Sequence, residues 1–222
     1  MILGVIVTLL ALGIGYVTLF TDIKLTSYIP FMDATVATVN GVAISETEFE
    51  NSSASVRATI EAQGGDTETE GAKAAIKSQA ISQLINAQLL IQAATEAGYT
   101  ADPAEVDAQI AAIEENFGGK EAFAARLEEL NITEKMFRQD VVEQVMVTAY
   151  IEGETDIADT AVSDEEIAAF YANIQAQYGE DIPSVEDLRE QIVADLQIQK
   201  QQAELGDIIA TLRDAADIEI NI

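Results

Sequence analysis

Cysteine, histidine and tryptophan are all missing from this chain of 222 residues, and basic side chains are scarce. Without cysteine there is neither a disulfide framework nor a thiol nucleophile, whichever side of a membrane the protein occupies. Without histidine the chain loses the usual general base, the commonest metal ligand and every Ser-His or Cys-His arrangement. Enzymatic chemistry would have to rest on carboxylates, lysines or hydroxyls. No pair among the 39 acidic residues stands out by its spacing, and no GxxxxGK[ST] nucleotide loop is present. The reading is therefore a non-enzyme with no catalytic residues, no cofactor and no metal. The 39 acidic residues face only 11 basic ones, for a net charge of −28. Such a surface repels nucleic acid and anionic headgroups, so no nucleic-acid partner is expected. The same acidity suits either a saline habitat, where salt screens self-repulsion, or an acidic binding surface.

Charge is absent altogether from Ile2 to Phe20, a run of 19 residues. At ~1.5 Å per helical residue this run reaches about 28 Å, close to the ~30 Å hydrocarbon core of a bilayer. It lacks the basic start, the short apolar core and the small-x-small site of a cleaved signal peptide. Residues 1–20 are read as a retained transmembrane anchor, with a signal peptide as the alternative, and 21–34 as a tether broken at Pro30. Lys24, the one positive charge nearby, taken alone would place the C-terminal side in the cytoplasm.

The rest of the chain is organised around AKAAIKSQAISQLINAQLLIQAATEA, residues 72–97. Ile76, Ala80, Leu84, Ala87, Ile91 and Ala94 form one apolar stripe at helical spacing, and Ile81, Ile85 and Leu89 a second. Two stripes predict a helix clamped between neighbours, stopped by Gly98 in a left-handed conformation. Upstream, TVATVNGVAIS at 35–45 alternates around Asn40-Gly41, a strong signal for a hairpin with a type I′ turn. Ser45 with Glu48 is a capping box, so a helix follows at once. QGGDTETEG is read as a loop. Within it Asp66, Glu68, Glu70 and Gly71 mimic the start of a calcium loop, but Lys77 stands where the closing glutamate belongs.

Pro103 opens a helix over Ala104–Asn116, Lys120–Leu130 forms another, and Thr133 starts a third carrying Phe137, Val141, Val145 and Thr148 on one face. Arg138 is expected to anchor a core carboxylate or cap a neighbouring helix. Ile151–Ala161 is read as an acidic break, and Ser163 with Glu166 as a second capping box. Asn173–Pro183 links that helix to a long last one capped by Ser184 and Asp187, and the alternation of DIEINI predicts a terminal strand. That strand, Ile218–Ile222, is expected to pair with the hairpin, which would be marginal alone. The fold class is mainly α, with a small hairpin completed by the C-terminal strand.

The ordered series Leu89, Leu90, Ala93, Ala94, Gly98, Val106, Ile110 and Arg138 resembles the N-terminal chaperone domain of the SurA family of periplasmic chaperones. Val36, Val39, Asn40 and Gly41 match the hairpin that opens that domain, and Lys200 matches its L-x-x-x-K helix. Val162–Tyr171 resembles the segment that leads into a parvulin prolyl isomerase domain in longer members; here only the short link follows. The resemblance implies one chaperone domain over 35–222: the hairpin at 35–45, a helical core at 72–161, and helices and strand at 162–222. It also implies that this domain faces the periplasm or another extracytoplasmic side, against the hint from Lys24.

The expected function is that of a membrane-anchored, ATP-independent holdase for unfolded or nascent exported polypeptides, with Ile2–Phe20 in the membrane. The alternative is a non-catalytic assembly partner of a membrane complex using the same fold. Client contacts are expected on apolar side chains left partly unburied: Phe123, Met136, Met146 and Tyr150. Asn40, Gly41, Gly98 and Arg138 are assigned structural roles. The sequence specifies no oligomeric state.

Overall fold

Asn40 and Gly41 both take positive φ, at 51° and 80°, and close the two-residue turn that the sequence predicts. The computed structural model describes residues 34–129, 132–154, 161–179 and 182–222. Within them the turn joins β1 (Thr35–Val39) to β2 (Val42–Ser45), and β3 (Ile218–Ile220) pairs antiparallel with the other side of β1. The order is thus β2-β1-β3, as expected for the last strand. Ala37 lies between Ile44 and Ile220, and Val39 between Val42 and Ile218. Directly paired residues share a face, so these side chains form the apolar side of the sheet. Ala37, Val39 and Ile44 are buried, and Ile218 packs on the same core.

Seven helices follow among the described residues. They are α1 (Glu46–Ala62), α2 (Glu70–Glu96), α3 (Pro103–Asn116), α4 (Lys120–Glu129), α5 (Glu134–Glu154), α6 (Asp164–Tyr178) and α7 (Val185–Ala215). Side-chain oxygens satisfy otherwise orphaned amides at several starts. Ser45 Oγ accepts from the Glu48 amide at 3.2 Å while Glu48 Oε2 accepts from the Ser45 amide at 2.8 Å. Asp102 Oδ1 accepts from Ala104 N at 2.9 Å, and Thr133 Oγ1 from Met136 N at 3.1 Å.

Both predicted stripes of α2 turn inward: Ile76, Ala80, Ala87 and Ala94 are buried, and so are Ile81, Ile85 and Leu89. The helix stops where expected. Gly98 has φ 82°, Gly98 N donates to Thr95 O, and Tyr99 N donates to Ala94 O at 2.9 Å. That pattern is a Schellman motif, and a Cβ on Gly98 would meet nothing within 4 Å, so only backbone conformation calls for glycine here.

The chain divides into two compact units. The first takes in residues up to Tyr150 together with Ile209–Ile222; the second is Ile151–Ile208. In the first, one core joins the sheet to α1 and α2, with Leu212 of α7 and Ala216, just after that helix, packed against it. A second core unites Val106 of α3, Phe123 and Leu127 of α4, and Phe137, Val141 and Val145 of α5. In the second unit, Ser163 and Glu166 form the predicted capping box at the start of α6. Lys200 Nζ reaches Glu166 Oε1 at 2.8 Å and Ala161 O at 2.6 Å, and Arg189 pairs with Asp164. Tyr171 Oη donates to Pro183 O at 2.9 Å, so α6 is fastened to α7 and the segment before it.

Three expectations need correction or placement. The acidic break predicted over Ile151–Ala161 does not hold for its first four residues, because α5 continues to Glu154 with Val147 and Ile151 buried one turn apart; 155–160 lie outside the described residues. Buried side chains hold the last turns helical where local polarity argued for a break. Likewise α6 runs to Tyr178, so the link expected over Asn173–Pro183 starts only at Gly179. The predicted anchor Ile2–Phe20, and the tether except Ala34, lie outside the described residues. Among the described residues no helix is long and apolar enough to cross a membrane.

A candidate client-binding surface

Two of the predicted client residues, Phe123 and Met136, lie at the α4–α5 corner, and the helical period sorts them. Phe137, Val141 and Val145 recur at four-residue spacing and point into the second core. Met136, one position off that row, is 40% exposed. Phe123 was expected to be left partly unburied, and here the structure corrects the sequence. It is 3% exposed, edge-on to Phe137 at 4.9 Å and tilted against Phe117 at 5.6 Å. Three rings in contact hold the corner together, so Phe123 is unavailable unless the core opens.

Met146 and Tyr150 are half-buried and lean on the end of α2. Thr95 Oγ1, which donates to Ile91 O at 2.7 Å, lies 4.0 Å from Met146 Sδ, and the Tyr150 ring stands edge-on to Tyr99 at 5.6 Å. The structure therefore does not bring the four residues into one patch. Met136 stands at the start of α5, Met146 and Tyr150 at its far end, and Phe123 inside.

Between the end of α4 and the start of α5 lies a shallow groove of about 380 Å³, lined by Ala124, Leu127 and Glu128 of α4 and by Ile132, Thr133 and Glu134. Its floor is apolar and its two carboxylates come from the end of α4 and the start of α5. The exposed thioether of Met136 suits varied apolar partners on its own account, because methionine is flexible and polarisable.

Arg138, expected in the core or at a helix cap, instead forms a surface ion pair with Asp107 of α3 at 2.6 Å, with both side chains about half exposed. Such a pair orients α5 on α3 but adds little stability, ~0–1 kcal/mol. One turn beyond Met136, Asp140 is raised from 3.8 to about 6, first by desolvation and then by the negative charges of Glu143 and Glu48. Sequence reasoning passed over Asp140; its signal was a carboxylate directly before the inward-facing Val141. It also passed over Gln92, a polar interruption of the apolar helix α2. Gln92 Nε2 donates to Val39 O at 3.0 Å and Gln92 Oε1 accepts from Asn40 Nδ2 at 2.8 Å, fixing the hairpin turn to α2.

The acidic loop holds its own cation. Lys73 Nζ lies 3.6 Å from Glu68 and 3.8 Å from Glu70, and Asp66 Oδ1 accepts from Glu68 N. No group of three or more acidic residues is placed to hold a metal ion among the described residues.

Residues 1–151 match the SurA-like N-terminal domain, and no parvulin domain is matched. That span ends beside the boundary between the two units. No curated protein is matched. The family's domain is a non-catalytic chaperone domain, in keeping with the hairpin, the Gly98 stop and the α3–α5 helices in the order described above. This chain belongs to the SurA-like N-terminal domain family.

Proposed function

We propose that this protein is an ATP-independent holdase, tethered by Ile2–Phe20 with its folded part outside the cytoplasm, that binds unfolded exported chains. The observation that carries this reading is the family match over residues 1–151, which covers the hairpin, α2 and the whole α4–α5 corner. Exposed Met136 and the groove between α4 and α5 support it, since a holdase needs apolar surface that its own fold leaves open. Protease added to intact spheroplasts tests the orientation: digestion of the folded part is expected, and protection reversed only by lysis overturns it. Light scattering of a denatured client with stoichiometric full-length protein and no nucleotide tests the activity. Suppressed aggregation is expected, with no acceleration of a proline-limited refolding run beside it. No suppression across several clients and salt concentrations favours a dedicated assembly partner instead.

A further inference from the structure

Among the described residues no strand pairs with the outer edge of β3, and that edge combines two features that are normally kept apart. Asn40 N donates to Asp217 O at 2.8 Å and Asn221 N donates to Val36 O at 2.8 Å. With Glu219 opposite Thr38, these bonds fix which groups of β3 face β1: those of 217, 219 and 221. The N–H and C=O groups of Ile218 and Ile220 therefore point away from the sheet, as an open ladder. The same stretch carries exposed apolar side chains, Ile220 at 52% and Ile222 at 58%. Edge strands are usually blunted by shortness, by charge (lysine above all), by proline or by a bulge; β3 is short and carries Glu219, but it has no lysine, no proline and no bulge.

Charge selects the occupant. Glu219 stands on the opposite face from Ile218 and Ile220, and it has no cation partner among the described residues. Pairing two copies through β3 would set Asp217 and Glu219 of each beside those of the other, between chains of net charge −28. A neutral or basic strand meets the edge without that repulsion. We propose that β3 captures an extended segment of an unfolded client by strand addition, with aliphatic side chains alongside Ile220 and lysine or arginine opposite Glu219. Main-chain bonds would supply affinity for many sequences, and the alternating side chains a preference among them. This inference takes its partner class from the holdase reading above.

The test uses full-length protein in detergent and a short fluorescent peptide alternating valine with lysine and threonine. Ile220→Pro removes one outward N–H that β1 does not use, and an edge strand tolerates proline there. The variant is expected to melt close to wild type while binding the peptide about tenfold more weakly. Should it fail to fold, two N-methylated peptides decide, each methylated on one of the two alternating sets of amides. Strand addition uses only one set, so about a tenfold difference between them is expected. Equal binding of the two, unweakened binding by a folded Ile220→Pro, or no binding at all overturns the inference. So does concentration-dependent dimerisation of wild type that Ile220→Pro abolishes, since the edge would then serve a second copy. Aggregation suppression measured on the same samples separates the two readings: suppression that persists in any of these cases leaves the holdase standing without the β3 edge.

Discussion

Asn40 and Asp217 are 177 residues apart and joined twice: Asn40 N donates to Asp217 O at 2.8 Å, and Asp217 N donates to Asn40 Oδ1 at 2.9 Å. The turn of the hairpin is therefore also the anchor of the last strand. The remaining polar end of Asn40 donates to Gln92 of α2, so one side chain ties together three elements distant in sequence. An aspartate would keep the turn but lose the Nδ2 donor, which makes asparagine the residue that meets both demands.

Two substitutions at this position separate those demands. Asn40→Gly keeps positive φ and loses only the side-chain bonds, at about 1–2 kcal/mol for two neutral hydrogen bonds. Asn40→Ala adds about 1 kcal/mol of left-handed strain. In a chain of this size each kcal/mol corresponds to roughly 2–4 °C. Thermal melts should rank wild type above Asn40→Gly and that above Asn40→Ala; a glycine variant as stable as wild type would show the hub to be idle.

What the sequence made legible was local. Two positive φ angles call for Asn-Gly, a Ser-x-x-Glu spacing calls for a capping box, and a left-handed stop calls for glycine, so those features lie where they were expected. Pairing of β3 with the hairpin followed from the lack of any other strand. The hub itself was hidden, because nothing near Asn40 in sequence points to Gln92 or Asp217. The candidate surface was only half legible for a related reason. Phe123 and Met136 carry the same apolar signal, and only the packing of Phe117 and Phe137 around Phe123 decides which of them stays open. The longer α5 was missed because burial of Ile151 overrides the polarity of the residues that follow.

In the second unit Glu166 is lowered from 4.5 to about 2, chiefly by its hydrogen bond with Lys200 and next by those with Ser163. A carboxyl depressed in the folded state adds stability above its unfolded value, and that stability fades as pH falls through the folded one. Lys200→Met is expected to lower the melting temperature at pH 6 and to leave it closer to wild type near pH 2, where Glu166 is being protonated in both. Carboxyl NMR should place Glu166 of the variant nearer its ordinary value. A melting difference as large at pH 2 as at pH 6 would assign the effect of Lys200 to packing instead of charge.

Asp140 gives the opposite sign. Its carboxyl is raised from 3.8 to about 6, by desolvation and then by Glu143 and Glu48. A raised carboxyl contributes stability that is fully present below the unfolded value and lost as pH rises through the folded one, so above about pH 6 the folded chain holds an unfavourable charge. The residue as a whole is exposed, which sits uneasily with strong desolvation. Water reaching the exposed carboxylate screens most of the penalty and leaves about 1 kcal/mol. Asp140→Asn removes that charge and keeps the shape. It is expected to raise the melting temperature by roughly 2–4 °C at pH 7.5 and to lose the advantage below pH 4. Added salt should shrink the gain, because part of it is repulsion from Glu143 and Glu48. A gain that persists unchanged at pH 4, or a loss at pH 7.5, would mean that the Asp140 carboxylate is compensated by a contact other than those seen around it.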